Sequence, residues 1–212
     1  MWFVVGLGNP GREYAKTRHN VGFDVVERLA ARHRFSEARE MSSALVQKGR
    51  ISGQEVMLLR PQTYMNLSGD AVGAVARFYR AGGESLIVVH DELDFEPGVV
   101  RMKVGGGHGG HNGLRSVIAH MGDGFVRVRI GIGKPASKAE GADHVLSRPD
   151  PMTRKLMVEA IDKATDAVEL VIEEGVQKAM NRVNRKVVAE DVGEPDEPKG
   201  KAKAAEAHER ED

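Results

Sequence analysis

The stretch Ser85-Leu86-Ile87-Val88-Val89-His90-Asp91 decides the fold class of this chain. Its short, uninterrupted apolar run is typical of a β-strand that is buried on both faces. Such strands belong to α/β proteins, in which helices cover both faces of a mostly parallel sheet. Ligands in these folds bind beyond the carboxyl ends of the strands. The pattern therefore predicts that His90 and Asp91 leave a buried strand at the edge where a site would form.

Segments on either side of this strand supply the rest of the sheet and its helices. Trp2–Leu7 has the composition of a first strand, and the turn-forming Gly8-Asn9-Pro10-Gly11 follows it. Helical periodicity begins near Val21. Asn112 is expected to cap one helix, and Gly82-Gly83 to end another. Further strands and helices are predicted at 44–51, 55–60, 65–80, 99–104, 112–121, 125–132 and 152–182. We therefore expect an α/β fold: a single domain with a twisted mixed β-sheet flanked by helices.

The composition divides the chain into a domain and a tail. We expect the domain to span residues 1–189 and residues 190–212 to form a disordered acidic tail. The tail has nine acidic residues against four Lys and Arg, and it lacks the large apolar side chains that offset the entropy of ordering. Because the whole chain has a formal net charge of zero, the domain is mildly basic. That charge is compatible with a polyanionic partner.

The composition also excludes several kinds of chemistry. The sequence has no cysteine, which excludes disulfides, thiolate metal sites and a cysteine nucleophile. Its first residues lack the basic region and long apolar stretch of a signal peptide, and no apolar run approaches the length of a membrane span. We expect a cytoplasmic protein that does not enter a membrane. Nothing in the sequence requires more than a monomer.

Polar side chains cluster at predicted strand ends and loops. An imidazole accepts a proton from water near neutral pH, while a carboxylate fixes its tautomer and stabilises the imidazolium. Asparagine amides stabilise an oxygen that becomes negative during a reaction. Because the sequence has no Gly-x-Ser-x-Gly elbow, we predict water as the nucleophile. The clusters are Asn9, Arg12, Tyr14, Arg18, His19 and Asn20; Tyr64, Met65 and Asn66; and His90, Asp91 and the stretch 108–112.

The glycine-rich loop 105–110 and its histidines leave two other interpretations open. His108 and His111 are three residues apart, and acidic residues lie nearby at 91–94. A metallohydrolase therefore remains open, although the glycines between the two histidines disfavour helical ligand spacing. The loop could also cradle a phosphate, but it lacks the Gly-Lys-Ser/Thr ending of a P-loop.

Seven short motifs occur in a specific order between residue 2 and about residue 184. They are Val5–Gly11 with Tyr14, Arg18–Gly22, Arg60–Gly69, His90–Asp94, Gly109–Ser116, Arg129–Gly133 and Ala179–Asn181. Taken singly, such motifs have ordinary structural explanations as turns and caps. In this order and at this spacing they resemble the bacterial-type peptidyl-tRNA hydrolase family.

The resemblance implies hydrolysis of the ester that joins a peptide to the 3′ end of tRNA, with peptidyl-tRNA as the partner and with no cofactor or metal. It implies that His19 is the general base and that Asp91 orients it. Further side chains would line the cleft and hold the peptide, the terminal adenosine and the attacking water. These substrate-binding side chains are then Asn9, Tyr14, Met65, Asn66, His111 and Asn112.

The resemblance also implies that Lys103 and Arg129 clamp a phosphate at the acceptor end. Phosphate contacts position a nucleic acid without reading its sequence, which suits an enzyme that accepts many tRNAs. The glycines before Asn112 raise the hypothesis of a mobile lid. Three alternatives stay open: a non-catalytic tRNA- or ribosome-binding protein of the same fold, a metallohydrolase or metallopeptidase that a chelator would inactivate, and a nucleoside or nucleotide enzyme. A poised base argues against the first, since RNA binding alone does not need one.

Overall fold

Seven β-strands form one sheet in the order β2-β3-β4-β1-β5-β7-β6. The computed structural model describes residues 1–135 and 137–185, and all structural statements concern these residues. The strands are Trp2–Gly6 (β1), Arg39–Met41 (β2), Ala44–Ile51 (β3), Gln54–Pro61 (β4), Leu86–Glu92 (β5), Val100–Val104 (β6) and Val126–Gly131 (β7). The helices are Val21–Arg32 (α1), Ser68–Tyr79 (α2), Asn112–Met121 (α3), Gly141–Leu146 (α4), Pro151–Glu174 (α5) and Val176–Val183 (α6).

The sheet is mixed. Strands β4, β1, β5 and β7 run parallel to one another. On one side β3 pairs antiparallel with β4, and on the other β6 pairs antiparallel with β7. The apolar residues of β5 are fully buried between these neighbours, as the uninterrupted run of aliphatic residues predicts. The prediction of an α/β fold with a mixed sheet flanked by helices is confirmed.

Apolar side chains build a core on each face of the sheet. Successive residues of a strand point to opposite faces, and β1 shows the result. Val4 joins the core beneath α1 and α5, whereas Phe3 and Val5 join the core beneath α2 and α3. The sheet is thus held from both sides, and its strand ends are rigid supports for the loops that follow them.

The outer edge of β6 is covered by one side chain that follows α6. Asn184 Nδ2 donates a hydrogen bond to the carbonyl oxygen of Met102, and the Met102 N–H donates to Asn184 Oδ1, both at 2.8 Å. Edge strands leave backbone groups unpaired. The Asn184 amide therefore supplies the two hydrogen bonds that a neighbouring strand would otherwise make.

Helix α2 ends at Tyr79, before the Gly82-Gly83 pair that was expected to end it. Arg80 adopts the left-handed conformation with φ 54°, and the N–H of Ala81 donates to the carbonyl oxygen of Ala76 at 2.8 Å. This backbone closure satisfies a terminal carbonyl group before the glycines are reached. The helix thus ends within one residue of the predicted position at Arg80, but Arg80 and not the glycine pair forms its end.

The expected domain boundary at residue 189 and the expected tail at 190–212 lie outside the described residues. Within the described residues, no helix combines the length and the apolar composition that crossing a membrane requires.

Candidate active site

The ends of neighbouring strands bring the polar clusters together. The N–H of Leu7 donates to the carbonyl oxygen of Val89 at 3.0 Å, so the pairing with β5 continues one residue past the end of β1. The loop with Asn9 follows β1, and His90 and Asp91 lie near the end of β5. Because the two strands are parallel, their carboxyl ends meet at one edge of the sheet.

His19 is held against this edge by the start of helix α1. It lies in a 3-10 turn, Arg18–Asn20, that leads directly into the helix. A Cβ atom on Gly22 would lie 2.5 Å from the carbonyl oxygen of Val89, so only glycine permits this approach. The close contact seats the turn over the ends of β1 and β5, and His19 is 9% exposed.

His19 and Asp91 form a direct hydrogen bond. The distance from His19 Nδ1 to Asp91 Oδ1 is 2.8 Å, and Asp91 is 3% exposed. A carboxylate can only accept, so Nδ1 carries the proton and Nε2 is left as the basic ring nitrogen. The predicted base and its predicted orienting group are therefore in contact.

The charges of this pair support each other. Burial opposes a charge on His19, but attraction to the Asp91 carboxylate and the hydrogen bond to it prevail and raise the pKa of His19. Burial alone would raise the pKa of Asp91. Attraction to His19 and His111 and the hydrogen bonds from both rings instead lower that pKa far below its ordinary value. Asp91 is therefore a carboxylate, and His19 is a stronger base than a free histidine.

His111 shares the same carboxylate oxygen. Its Nε2 lies 3.0 Å from Asp91 Oδ1, and its Nδ1 accepts a hydrogen bond from the N–H of Leu114 at 3.2 Å. Because Nδ1 accepts, Nε2 must carry the proton that bonds to Asp91. The rings of His19 and His111 are 5.0 Å apart. His111 therefore fixes the orientation of the carboxylate on which His19 depends.

His90 is buried and packs against His111. Its Nδ1 donates to the carbonyl oxygen of Asp91 at 2.7 Å, while its Nε2 is buried without a partner among the described residues. Its ring packs edge-on against that of His111 at 5.1 Å. Burial, together with repulsion from His111, lowers the pKa of His90 to about 3. The ring is therefore neutral at pH 7 and does not compete for the proton that His19 would accept.

Asn9 is fixed in place by three hydrogen bonds. Its N–H donates to Asn20 Oδ1 at 2.8 Å, and its carbonyl oxygen accepts from Asn20 Nδ2 at 2.9 Å. Its side-chain Oδ1 accepts from the N–H of Met65 at 2.8 Å. These contacts leave the Nδ2 donors of Asn9 for a ligand. Asn20, which follows His19 directly, holds the backbone of Asn9, and the N–H of Met65 holds its side chain.

Met65 and Asn66 belong to a 3-10 turn, Met65–Leu67, that precedes α2. Met65 is buried, and its sulfur lies so close to α3 that a Cβ atom on Gly113 would be 2.5 Å away. Asn66 is exposed, as is Tyr64 before it. The turn therefore places an apolar floor and a polar amide beside Asn9.

Asn112 does not cap helix α3, contrary to the prediction. The N-cap is His111, whose side chain accepts from the backbone of Leu114. Asn112 is the first helical residue and is exposed. Because His111 performs the capping, the Asn112 amide is left to face solvent at the site.

Two clefts meet at His19. A cleft of about 530 Å³, the β7 cleft, is lined by His19, the stretch 90–94, Lys103, the stretch 107–112, Leu114, Arg127, Arg129, Gly141, Ala142 and Val145. A cleft of about 570 Å³, the Met65 cleft, is lined by Asn9, His19, Tyr64, Met65, Asn66, Asn112, Arg115, Ala142, Val145 and Leu146. His19 and Asn112 line both, so a substrate that occupied the two clefts would pass the basic nitrogen.

Tyr14 lies apart from these groups. It is half-buried on the turn that precedes His19, and its carbonyl oxygen accepts a hydrogen bond from Thr17 Oγ1 at 2.8 Å. It is not among the described residues that line the two clefts. Its assignment to substrate binding stays a prediction.

The cations expected to clamp a phosphate lie together in the β7 cleft. Lys103 is on β6 and Arg129 on β7, and both line the cleft. Arg129 Nη1 is 3.9 Å from Glu92 Oε2, and its guanidinium lies 4.7 Å from the centre of the Phe95 ring. The ring and the carboxylate hold Arg129 in one orientation before any ligand binds.

A buried arginine anchors the glycine-rich loop. Arg127 is 1% exposed; its Nη1 donates to the carbonyl oxygen of Gly107 at 2.7 Å, and its Nη2 donates to that of Gly106. A buried cation is unfavourable unless polar groups compensate it, and these carbonyl groups do so. Arg127 therefore ties the loop that leads to His111 to strand β7.

Arg127 and the role of His90 were not predicted from the sequence. The available signal was the alternation Val126-Arg127-Val128-Arg129, which puts basic side chains on one face of an otherwise apolar strand. For His90 the signal was its position within the uninterrupted run of β5.

The site also contains a group with metal-binding donors. Ligand atoms of His19, Asp91 and His111 lie within 4.8 Å of one another. The sequence interpretation weighed His108 and His111 instead, but His108 Nδ1 accepts from the N–H of Gly110 at 3.1 Å. In the observed arrangement Asp91 Oδ1 accepts from both other rings, so a metal would have to replace two N–H protons. Chelation therefore remains a necessary test of the expectation that no metal is used.

The fold and the site define a class: an α/β protein with a histidine base, a buried carboxylate that orients it, and an adjoining cleft lined with cations. The family model described as peptidyl-tRNA hydrolase matches residues 3–191. The chain therefore belongs to the peptidyl-tRNA hydrolase family, as the series of motifs predicted.

Individual relatives agree with this assignment. A peptidyl-tRNA hydrolase from Histophilus somni (strain 129Pt) is 50% identical over 184 residues, which cover 85% of this chain and 95% of that protein. One from Anaeromyxobacter dehalogenans is 48% identical over 187 residues, 88% of this chain and 97% of that protein. A crystal structure of peptidyl-tRNA hydrolase from Acinetobacter baumannii is 46% identical, covers 87% of this chain and 94% of that one, and has a TM-score of 0.83.

Proposed function

We propose that this chain hydrolyses the ester between the peptide and the tRNA in peptidyl-tRNA, with water as the nucleophile and His19 as the general base. The observation that carries the proposal is the His19–Asp91 pair, which leaves His19 Nε2 as the basic nitrogen at the junction of two clefts. Membership of the peptidyl-tRNA hydrolase family supplies the substrate.

The reaction needs one proton to move twice. Water gives a proton to His19 Nε2 as its oxygen attacks the ester carbonyl carbon, and the Asp91 carboxylate stabilises the resulting imidazolium. The tetrahedral intermediate then expels the ribose oxygen, which takes the proton from His19. The products are a peptide with a free carboxyl group and a tRNA with a free ribose hydroxyl. Both protonation states of His19 are used, and the base is regenerated.

The asparagines supply neutral hydrogen bonds around this event. The three hydrogen bonds that hold Asn9 do not use its Nδ2 donors. We therefore assign Nδ2 to the substrate carbonyl on the peptide side. Asn112 lines both clefts beside His19, which suits a residue that holds the attacking water. Asn66, in the Met65 cleft, would hold the terminal nucleoside or the adjoining peptide.

The two clefts divide the substrate between them. The β7 cleft carries Lys103 and Arg129, which would hold an acceptor-end phosphate. The Met65 cleft has an apolar floor and amide groups, which suit a peptide of variable sequence. The scissile ester would then lie between the clefts, next to His19.

We further infer that the enzyme acts as a cytoplasmic monomer without a cofactor or a metal. All residues of the proposed site come from one chain, so no second copy is needed to complete it. An imidazole with a carboxylate partner deprotonates water near neutral pH without a metal. Peptidyl-tRNA is a product of translation, which places the substrate in the cytoplasm.

The test is hydrolysis of N-acetyl-aminoacyl-tRNA, with unblocked aminoacyl-tRNA as the comparison and a chelator present. We expect turnover of the blocked substrate only, unaffected by the chelator. His19→Ala should abolish most turnover yet leave tRNA binding nearly unchanged, because the phosphate contacts remain. His33→Ala, a surface histidine 2.7 Å from Glu169, is the matched control and should stay active. Full activity of the His19 variant would overturn the mechanism.

The non-catalytic alternative is disfavoured by the same site. A tRNA- or ribosome-binding protein would need the cations of the β7 cleft but not the buried Asp91, whose hydrogen bonds to two imidazole rings serve proton transfer. Binding of tRNA without turnover by the wild-type chain would favour that alternative. Loss of turnover on chelation would favour the metallohydrolase.

A further inference from the structure

One face of the β6–β7 pair is basic. The segments Val100-Arg101-Met102-Lys103-Val104 and Val126-Arg127-Val128-Arg129-Ile130 alternate between apolar and basic residues. Their buried apolar residues join the core beneath α1 and α5. Since side chains alternate across a strand, the four cations lie on the opposite face. They are Arg101, Lys103, Arg127 and Arg129.

The register places these cations in facing pairs. Arg101 is opposite Arg129, and Lys103 is opposite Arg127. Like charges that face each other destabilise an antiparallel pair. Over residues 1–135 and 137–185, Glu92 is the one acidic residue that makes an ion pair with any of the four, and its distance to Arg129 is 3.9 Å. Arg127 is buried and anchors the glycine-rich loop, but folding does not require the other three cations, so a polyanionic ligand is the simplest reason for them.

Three of the four cations have a structural or substrate-binding role described above. Arg127 donates to two carbonyl groups of the glycine-rich loop, and Lys103 and Arg129 line the β7 cleft as the proposed clamp. Arg101 is half-buried, and the hydrogen bond that its guanidinium makes is to the carbonyl oxygen of Val100, its own neighbour in the strand, at 3.0 Å. Its remaining N–H donors have no acceptor in the described part of the chain.

We propose that Arg101 binds a second backbone phosphate of the tRNA, next to the one held by Lys103 and Arg129. The proposal rests on the proposed function, because it extends the same substrate beyond the β7 cleft. The ligand chemistry is a phosphodiester chain, and the source is the acceptor stem, since the 3′ end must reach His19.

The geometry supports a phosphate track along the strand pair. Arg101 precedes Lys103 by two residues, a distance of about 7 Å along the strand, and it faces Arg129 directly. It lies on β6, the last strand of the sheet, and is not among the residues that line the β7 cleft. In the register Arg101 is level with Arg129 and His90, whereas Lys103 is level with Arg127. A phosphate at Arg101 would therefore lie outside the β7 cleft, beside the one held at Arg129.

The test compares two substrates. One is N-acetyl-aminoacyl-tRNA, and the other is the same N-acetyl-aminoacyl ester on adenosine alone, which has no stem. In Arg101→Gln we expect KM for the tRNA substrate to rise roughly tenfold with kcat unchanged, and the slope of log KM against log salt to become shallower by about one. Hydrolysis of the adenosine ester should not change.

Arg50→Gln is the matched control, since Arg50 is an exposed strand arginine at the far side of the sheet on β3. Arg101→Lys should keep the salt slope of the wild type, because it keeps the charge. An unchanged KM and salt slope in Arg101→Gln would overturn the proposal, as would equal losses on both substrates. If the wild type hydrolysed neither substrate, the proposed function would fail. Direct tRNA binding at several salt concentrations would then still test Arg101.

Discussion

Asp91 contacts three histidines, and this makes it the central residue of the site. Its Oδ1 accepts hydrogen bonds from His19 and His111, and its backbone carbonyl oxygen accepts one from His90. Each bond determines which nitrogen of that ring carries a proton. Asp91 therefore contacts all three rings, through its carboxylate for His19 and His111 and through its backbone carbonyl for His90, and His19 is the ring whose second nitrogen is left to accept a proton.

Replacing this carboxylate should impair catalysis more than folding. In Asp91→Asn the amide no longer fixes the His19 tautomer or stabilises the imidazolium, and we expect kcat to fall by roughly 10³ to 10⁴-fold, the magnitude typical of the analogous change in other His–Asp pairs. Initial rates with N-acetyl-aminoacyl-tRNA measure the loss, and thermal unfolding checks that the variant is folded. A loss smaller than tenfold would contradict the assigned role of Asp91.

The pH profile provides a second test of the same pair. The base must be unprotonated, so kcat/KM should rise with pH through the pKa of His19, and the midpoint should lie above 6.5, the ordinary value for histidine, because Asp91 raises it. In Asp91→Asn the residual activity should have a lower midpoint, since burial then acts alone. A wild-type midpoint below 6.5 would show that the attraction to Asp91 does not outweigh burial.

Only part of the site can be predicted from residue patterns. The type of chemistry follows from a histidine, a carboxylate and amides at strand ends. The pairing of His19 with Asp91 joins residues 72 positions apart, and no local periodicity contains it; the family resemblance supplied it. The capping role of His111 was missed because a short loop can place either of two adjacent polar residues at a helix start.

At the scale of elements, helix α1 has an acidic side chain whose negative charge is opposed by burial. Asp24 lies in its first turn, where the helix dipole favours a negative charge. Burial nevertheless raises the pKa of Asp24 to about 6, aided by repulsion from Glu27 and opposed by Lys16. The folded chain therefore binds this proton more tightly than the unfolded chain does, and stability falls as pH rises from about 4 to about 6.

Asp24→Asn should remove this dependence. At pH 8 we expect the variant to be more stable by on the order of 1–2 kcal/mol, part of which the lost dipole interaction offsets. At pH 4 the gain should vanish, because the native carboxyl is then protonated. Urea unfolding at both pH values measures the difference. The control Asp123→Asn removes an exposed carboxylate and should leave the free energy of unfolding unchanged at both pH values. If Asp24→Asn stabilised the chain equally at both pH values, the explanation would be refuted.

The elements that were predicted correctly are those with many buried residues. Strand β5 and helix α5 each carry a long apolar pattern, so their burial is visible in the sequence. Strand β2 has three residues, none of them buried, and α4 has no buried residue. Such elements are determined by contacts with distant segments, and local sequence carries little information about them.

At the scale of the whole molecule, the site depends on how closely α1 approaches the sheet. A Cβ atom on Gly22 would lie 2.5 Å from the backbone of Leu7 and equally close to that of Val89. The Leu7 N–H and the Val89 carbonyl oxygen are hydrogen-bonded to each other where β1 ends beside β5, so neither can move without disturbing the other. The helix therefore has to move instead, and it carries His19 with it.

Gly22→Ala should thus lose stability and activity together. We expect a loss of about 3 kcal/mol or more in the free energy of unfolding, and a fall in kcat beyond that explained by the unfolded fraction. Gly124→Ala is the control, because no atom lies within 4 Å of the added methyl group. Urea unfolding and initial rates on the folded fraction separate the two effects. A stable, fully active Gly22→Ala would show that the approach of α1 is not essential.

The Asn184 amide on the edge of β6 has a consequence for solubility. Open sheet edges are where chains join into larger aggregates, and β6 is such an edge. By occupying the N–H and the carbonyl group of Met102, Asn184 blocks the middle of the strand against a foreign strand. A shortened chain that ends before residue 184 would expose this edge beside a basic surface. Attempts to define a minimal stable fragment should therefore keep Asn184, although it is distant from the reacting groups.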